Sequence, residues 1–114
     1  MLEKTVKLSQ LFDFYGDLLT PRQQEIMRYY FYQDYSLGEI AENLDISRQG
    51  VYDHLKRAEE QLRDYEDRLG IFASYRVLQE ETDCLLEGLN QKEPLDEERR
   101  QRLLQAVRRI KNCL

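Results

Sequence analysis

Residues 36–62 read SLGEIAENLDISRQGVYDHLKRAEEQL, and this stretch decides the fold. Ser36 followed by Glu39 fits the S-x-x-E capping box, in which each side chain satisfies an orphan backbone donor at a helix start. The spacing predicts a short helix that carries Leu37, Ile40, Ala41 and Leu44 inward. Asp45-Ile46-Ser47 breaks that helix, and Ser47 caps a second one whose inward positions are Val51, Leu55, Ala58 and Leu62. Ala41 lets the two helices approach closely, Ile46 plugs the turn, and Val51 and Leu55 pack back on the first helix. This is the sequence shape of a helix-turn-helix, whose second helix usually lies in the DNA major groove.

The flanks extend the helical reading. Upstream, residues 2–15 place Leu2, Val6, Leu8, Leu11, Phe12 and Tyr15 along one stripe, with Gly16 as a stop. Thr20 then caps a helix with Pro21 in its first turn and Gln23 completing a capping box. Ile26, Met27, Tyr30 and Phe31 form its buried stripe. The aromatic cluster Tyr29, Tyr30, Phe31, Tyr32 and Tyr35 reads as core with a wet rim, because tyrosine buries its ring and keeps its hydroxyl in water.

Downstream, the helix begun at Ser47 continues to Leu69, with apolar positions 51, 55, 58, 62, 65 and 69 at heptad spacing and Gly70 as its end. Ile71, Tyr75, Leu78, Thr82, Leu85 and Leu89 repeat that spacing, and Gly88-Leu89-Asn90 is the expected stop. After the linker QKEPLDEE, Pro94 or Asp96 starts a last helix with Leu103, Leu104, Val107, Ile110 and Leu114 inward. No β-branched alternation or hairpin dipeptide appears, so the chain is all-α. The expected organisation is a head over 1–69, a wingless variant of the winged-helix arrangement, and a helical packing or dimerisation region over 70–114.

Composition narrows the function. The 114 residues suffice for one compact domain, or a small domain with an appendage. No run approaches the ~20 apolar residues of a membrane span, and the N-terminal stretch lacks a signal peptide's apolar core, so a cytoplasmic protein is expected. Cys84 and Cys113 form no C-x-x-C and read as small core residues in a reducing compartment. The one histidine, His54, is a surface or packing residue, too few parts for a metal site or a triad. Phosphate-binding glycine motifs are missing and the carboxylates sit on amphipathic surfaces, so neither enzyme activity nor a cofactor is expected.

Charge supplies the candidate contacts. The net charge of −5 argues against indiscriminate coating of nucleic acid. Between 36 and 69 five basic residues face nine acidic ones, but the first half of the second helix is kinder. There Arg48 and Gln49 have the donors to read guanine or adenine, Tyr52 lies beside them, and Lys56 and Arg57 suit phosphates. Ser47 sits at the helix start, and Arg22 and Gln23 can add a phosphate contact at another helix start. Asp53, among them, would repel the backbone. From Arg99 onward there are six basic residues and no acidic ones. Measured from Val107, Arg102 and Arg109 fall opposite the apolar stripe. That basic face suits RNA, an acidic protein, or the chain's own acidic stretch from Glu59 to Asp67.

The residues LTPRQQEIMRYYFYQDYSLGEIAENLDISRQGVYDHLKRAEEQL closely resemble region four of bacterial primary-type sigma factors. The matching pieces are Leu-Thr-Pro-Arg, Ser-Leu-x-Glu-Ile-Ala and Ile-Ser-Arg-x-x-Val, with Asp45 where glycine usually ends the first helix. Over essentially its full length the chain is similar to YlxM-like proteins, small bacterial helix-turn-helix proteins associated with the signal recognition particle genes. The resemblance implies a DNA-binding regulator with a long recognition helix and a C-terminal helical hairpin, acting in or regulating the signal recognition particle pathway. The partners it implies are DNA or a signal recognition particle protein or RNA, with a homodimer as the expected assembly. The alternative it leaves open is an interaction module that docks on a particle component and never reads DNA, using Arg102 and Arg109 rather than Arg48 and Gln49.

Overall fold

A computed structural model describes residues 6–114, which are helical throughout with short connections and no strand among them. Six α-helices follow in order: α1 (Val6–Tyr15), α2 (Pro21–Phe31), α3 (Leu37–Leu44), α4 (Arg48–Leu69), α5 (Ile71–Leu89) and α6 (Glu97–Cys113), with a short 3-10 helix (Gly16–Leu18) after α1. Leu2 lies outside the described residues. The chain divides after Gly70 into two compact units.

In the first unit, α1, α2 and α3 all pack on α4. The core consists of Leu8, Leu11, Phe12 and Tyr15 from α1, Ile26, Met27 and Tyr30 from α2, Ile40 and Ala41 from α3, and Val51, Leu55, Ala58 and Leu62 from α4. Each fully buried aliphatic side chain contributes about 1.5–3 kcal/mol through removal from water. The stripe predicted for α1 is therefore the buried one, apart from Val6, which is exposed. Polar contacts also hold α1 and the 3-10 helix after it: the Tyr15 hydroxyl donates to Glu66 Oε1 at 2.6 Å, and the Tyr65 hydroxyl to the Leu18 carbonyl at 3.4 Å.

Local chemistry fixes the boundaries. Thr20 Oγ1 accepts from the Gln23 N–H at 3.2 Å while Gln23 Oε1 accepts from the Thr20 N–H at 3.1 Å, the predicted capping box. Ser36 and Glu39 form the second box. Gly16 begins the 3-10 helix, and its lack of a side chain is a matter of space: a Cβ there would lie 2.7 Å from the Phe12 ring. Gly70 ends α4 in the left-handed conformation, φ 63°. The aromatic cluster forms core and rim. Tyr30 is buried, Tyr29 stacks on Tyr35 at 5.2 Å, and Tyr32 donates its hydroxyl to Asp13. That hydrogen bond, then partial burial and the Asp13 charge, push the Tyr32 phenol up to about 12.

The second unit is a helical hairpin of α5 against α6. Asp96 caps α6, its Oδ1 accepting from the Arg99 N–H at 2.7 Å, which settles the start left open between Pro94 and Asp96. α5 ends at Leu89, within the expected stop Gly88-Leu89-Asn90, and Gly88 has a second use: a Cβ there would sit 2.5 Å from Leu103 Cδ2, so glycine lets the two helices close on each other. Two expectations change here. The buried positions of α6 are Arg99, Leu103 and Ala106, whereas Val107 is 41% exposed and Leu114 more so. Cys84 is exposed rather than in the core.

Candidate nucleic-acid interface

The turn between α3 and α4 is built by three adjacent residues. Asp45 takes the left-handed conformation (φ 53°, ψ 47°), which aspartate tolerates better than most residues, and its N–H bonds the Ala41 carbonyl. The Ile46 N–H reaches the same carbonyl at 3.1 Å, so the chain reverses without an unmatched donor. Ser47 then starts α4, its Oγ accepting from the Gly50 N–H at 2.9 Å. The Ser47 hydroxyl proton is still available to a phosphate oxygen.

This turn sets the first half of α4 at the surface. Arg48, Gln49, Lys56 and Arg57 are exposed and Tyr52 is half-buried. Leu37 of α3 joins Arg48, Gln49 and Tyr52 around one shallow hollow. Arg48 and Lys56 form no ion pair among the described residues, which leaves both charges for a partner. Asp53 has a second role beside the expected repulsion. Its Oδ1 accepts from Gln49 Nε2 at 3.0 Å, and its backbone carbonyl accepts from Arg57 Nε at 3.4 Å. The carboxylate thus orients the Gln49 amide and leaves Gln49 Oε1 to accept.

α2 contributes unequally. Arg22 is exposed and pairs loosely with Glu25 at 3.4 Å. Gln23 is 6% exposed, and its Oε1 and backbone N–H are both spent in the capping box, which leaves only the amide Nε2 to donate. His54 of α4 feels charges from both helices: burial lowers its pKa from 6.5, Arg57 and then Arg22 lower it further by repulsion, and Asp53 opposes them. Arg22 and Arg57 therefore both act on the same imidazole, and the basic patch spans two helices. Charge along α4 is polarised. Residues 48–57 hold three basic side chains and one acidic; residues 58–69 hold two basic and five acidic.

The two arginines assigned to the tail lie elsewhere than the sequence suggested. Arg109 Nη1 pairs with Glu81 Oε1 of α5 at 3.2 Å, and Arg102 lines a cavity of the hairpin. Both flank the buried line of Leu103 and Ala106 rather than opposing it. The discrepancy comes from using Val107 as the centre of the stripe. At ~100° per residue the true centre sits closer to Ala106, which moves both arginines toward α5.

The chain matches, over residues 2–106, the model of the UPF0122 family, described as "Putative helix-turn-helix protein, YlxM / p13 like". It is similar to a UPF0122 protein of Exiguobacterium sibiricum, 49% identical over 90 residues that cover 79% of this chain and 81% of the relative. A UPF0122 protein of Listeria innocua is 46% identical over 86% of this chain and 89% of its own. One from Bacillus mycoides is 43% identical over 96% of this chain and 99% of its own.

Proposed function

Because this chain belongs to the UPF0122 family of YlxM- and p13-like helix-turn-helix proteins, we propose that it is a non-enzymatic DNA-binding regulator. The first half of α4 enters the major groove. The observation that carries this reading is the pair of exposed cations, Arg48 and Lys56, that form no ion pair among the described residues along the first half of the capped α4, with the Gln49 amide oriented by Asp53. Arg48 and Gln49 read base edges, while Ser47, Tyr52, Lys56, Arg57 and Arg22 hold the backbone. The acidic second half of α4 lies away from the groove and steers the helix start toward DNA, since it repels phosphates.

Selection of bound sites from random duplex DNA, followed by a salt titration, tests it. Arg48→Ala with Gln49→Ala should abolish sequence preference. Lys56→Ala should weaken all sites alike and reduce the salt slope by ~0.9. Equal binding of selected sites by wild type and the double variant would sink the proposal. In the same reading two copies pair through the exposed apolar side of α5 (Ile71, Tyr75, Leu86, Leu89), setting their α4 helices about one DNA turn apart, ~34 Å. A monomeric mass at high micromolar concentration would overturn the pairing.

A second reading is favoured by the nine acidic residues between 36 and 69. In it the fold docks on a signal recognition particle protein or RNA, in that pathway or its regulation, and the basic α6 makes the contact. Arg109 is partly committed to Glu81, so Arg102→Glu with Arg108→Glu is the cleaner test. Unchanged capture of particle components by that variant would remove this reading.

A further inference from the structure

The buried cation of the hairpin forms no ion pair among the described residues. Arg99, in the first turn of α6, is 7% exposed. Its Nη1 donates to Gln91 Oε1 at 2.8 Å and its Nη2 to the Glu93 carbonyl at 2.7 Å, both neutral acceptors. Its Nε is enclosed and meets no acceptor. Among the described residues no carboxylate forms an ion pair with it. Burying a guanidinium in this way is costly unless a counter-charge is supplied.

A cavity of about 130 Å³ opens beside Arg99, also lined by Arg102, Gln91, Glu87 and Cys84. It is somewhat smaller than the ~150 Å³ cavities that accept benzene, and large enough for a tetrahedral oxyanion. Gly88 and Leu103, whose close approach brings α5 onto α6, form another part of the wall. Two guanidinium groups against one carboxylate make the cavity net positive. Arginine forks match phosphate oxygens with paired hydrogen bonds, and a phosphate presents acceptors toward both arginines at once.

We propose that this cavity binds a phosphate group, held between Arg99 and Arg102 with Gln91 beside them. The phosphate supplies the counter-charge that Arg99 lacks, and Glu87 limits the affinity by repulsion. The site lies wholly within residues 84–103, so its failure leaves the DNA reading of α4 untouched.

Cys84 is the built-in reporter, with Cys113 changed to serine so that one thiol remains. In the full chain, inorganic phosphate should slow iodoacetamide modification of Cys84 by about fivefold once it stands several-fold above its dissociation constant. Chloride at matched ionic strength should not. The Arg102 Nε–H resonance should shift with the same saturation. Arg102→Ala should abolish the thiol protection while leaving helical content unchanged, and Glu87→Gln should move the titration to lower phosphate. A single-stranded oligonucleotide without terminal phosphates distinguishes the sources. Protection by it assigns a backbone phosphate, and protection by inorganic phosphate alone assigns a free or terminal one. Unchanged thiol rates together with an unshifted Arg102 resonance, or protection that survives Arg102→Ala, would overturn the site.

Discussion

The apolar stripes of α4 and α5 share one spacing, yet most of the first is buried, with the expected inward Leu69 at its end exposed, and most of the second is exposed. On α4, Leu55 is 1% exposed and Val51, Ala58 and Leu62 are as deeply buried, because α1, α2 and α3 converge on that face. On α5, Leu89 is 68% exposed and Ile71, Tyr75 and Leu86 are exposed with it. The side of α5 turned to α6 is a neighbouring one, marked by Glu81 and Gly88. Periodicity reports that a helix has an apolar face. What covers the face depends on how many partners the topology brings to it.

The largest test of that contrast is truncation. Leu55→Ala should cost about 2–5 kcal/mol in chemical denaturation, while Leu89→Ala should stay within about 0.5 kcal/mol at concentrations where the chain is monomeric. A Leu89→Ala loss as large as that of Leu55→Ala would show that the α5 stripe is covered in solution. Next comes the polar contact that fastens α1 to the buried stripe. Tyr15→Phe removes the hydrogen bond to Glu66 and should cost about 1–2 kcal/mol by the same measurement. Asp45→Gly acts in the other direction, relieving the left-handed strain at the turn, and should raise stability by up to about 1 kcal/mol.

The smallest effect is electrostatic. His54 titrates below 6.5, so the folded chain takes up the proton less readily than the unfolded chain does. Stability is therefore indifferent to this group well above pH 6.5 and falls as pH drops through 6.5 toward the folded value. A nuclear resonance titration of the single histidine checks the direction. Phosphate bound at Arg22 and Arg57 should offset their repulsion and raise the His54 value. A His54 pKa that does not move on DNA binding would separate those arginines from the backbone contact.

Much of the head was legible because its signals are local. A capping box needs residues three apart, and Thr20–Gln23, Ser36–Glu39 and the Ser47 cap all formed as their spacing predicts. The end of α3 at Asp45 was likewise readable from the break between two periodic runs. The hairpin was less so. Spacing alone could not choose Val107 or Ala106 as the centre of the α6 stripe, since alanine carries little hydrophobic signal and valine carries more. Nor could it show that Arg99 is buried, because an arginine among Glu97, Glu98 and Arg100 at a helix start reads as solvated. At the candidate interface the residue types were legible but their commitments were not. Gln23 disappears into its own capping box, and Asp53 positions Gln49 by a bond that a linear charge count treats as repulsion.

The two sides of α4 have a further consequence. Within the first three turns, Val51, Leu55 and Ala58 hold the fold, whereas the exposed Arg48, Gln49, Lys56 and Arg57 make no contribution to the buried core. Residues of the two kinds alternate along one helix without sharing a position. A lineage can therefore exchange the outward set, one substitution at a time, at little risk to folding, since surface changes away from caps and core usually alter stability by no more than about 0.5 kcal/mol. Ligand preference in such a head is free to drift while its architecture stays put.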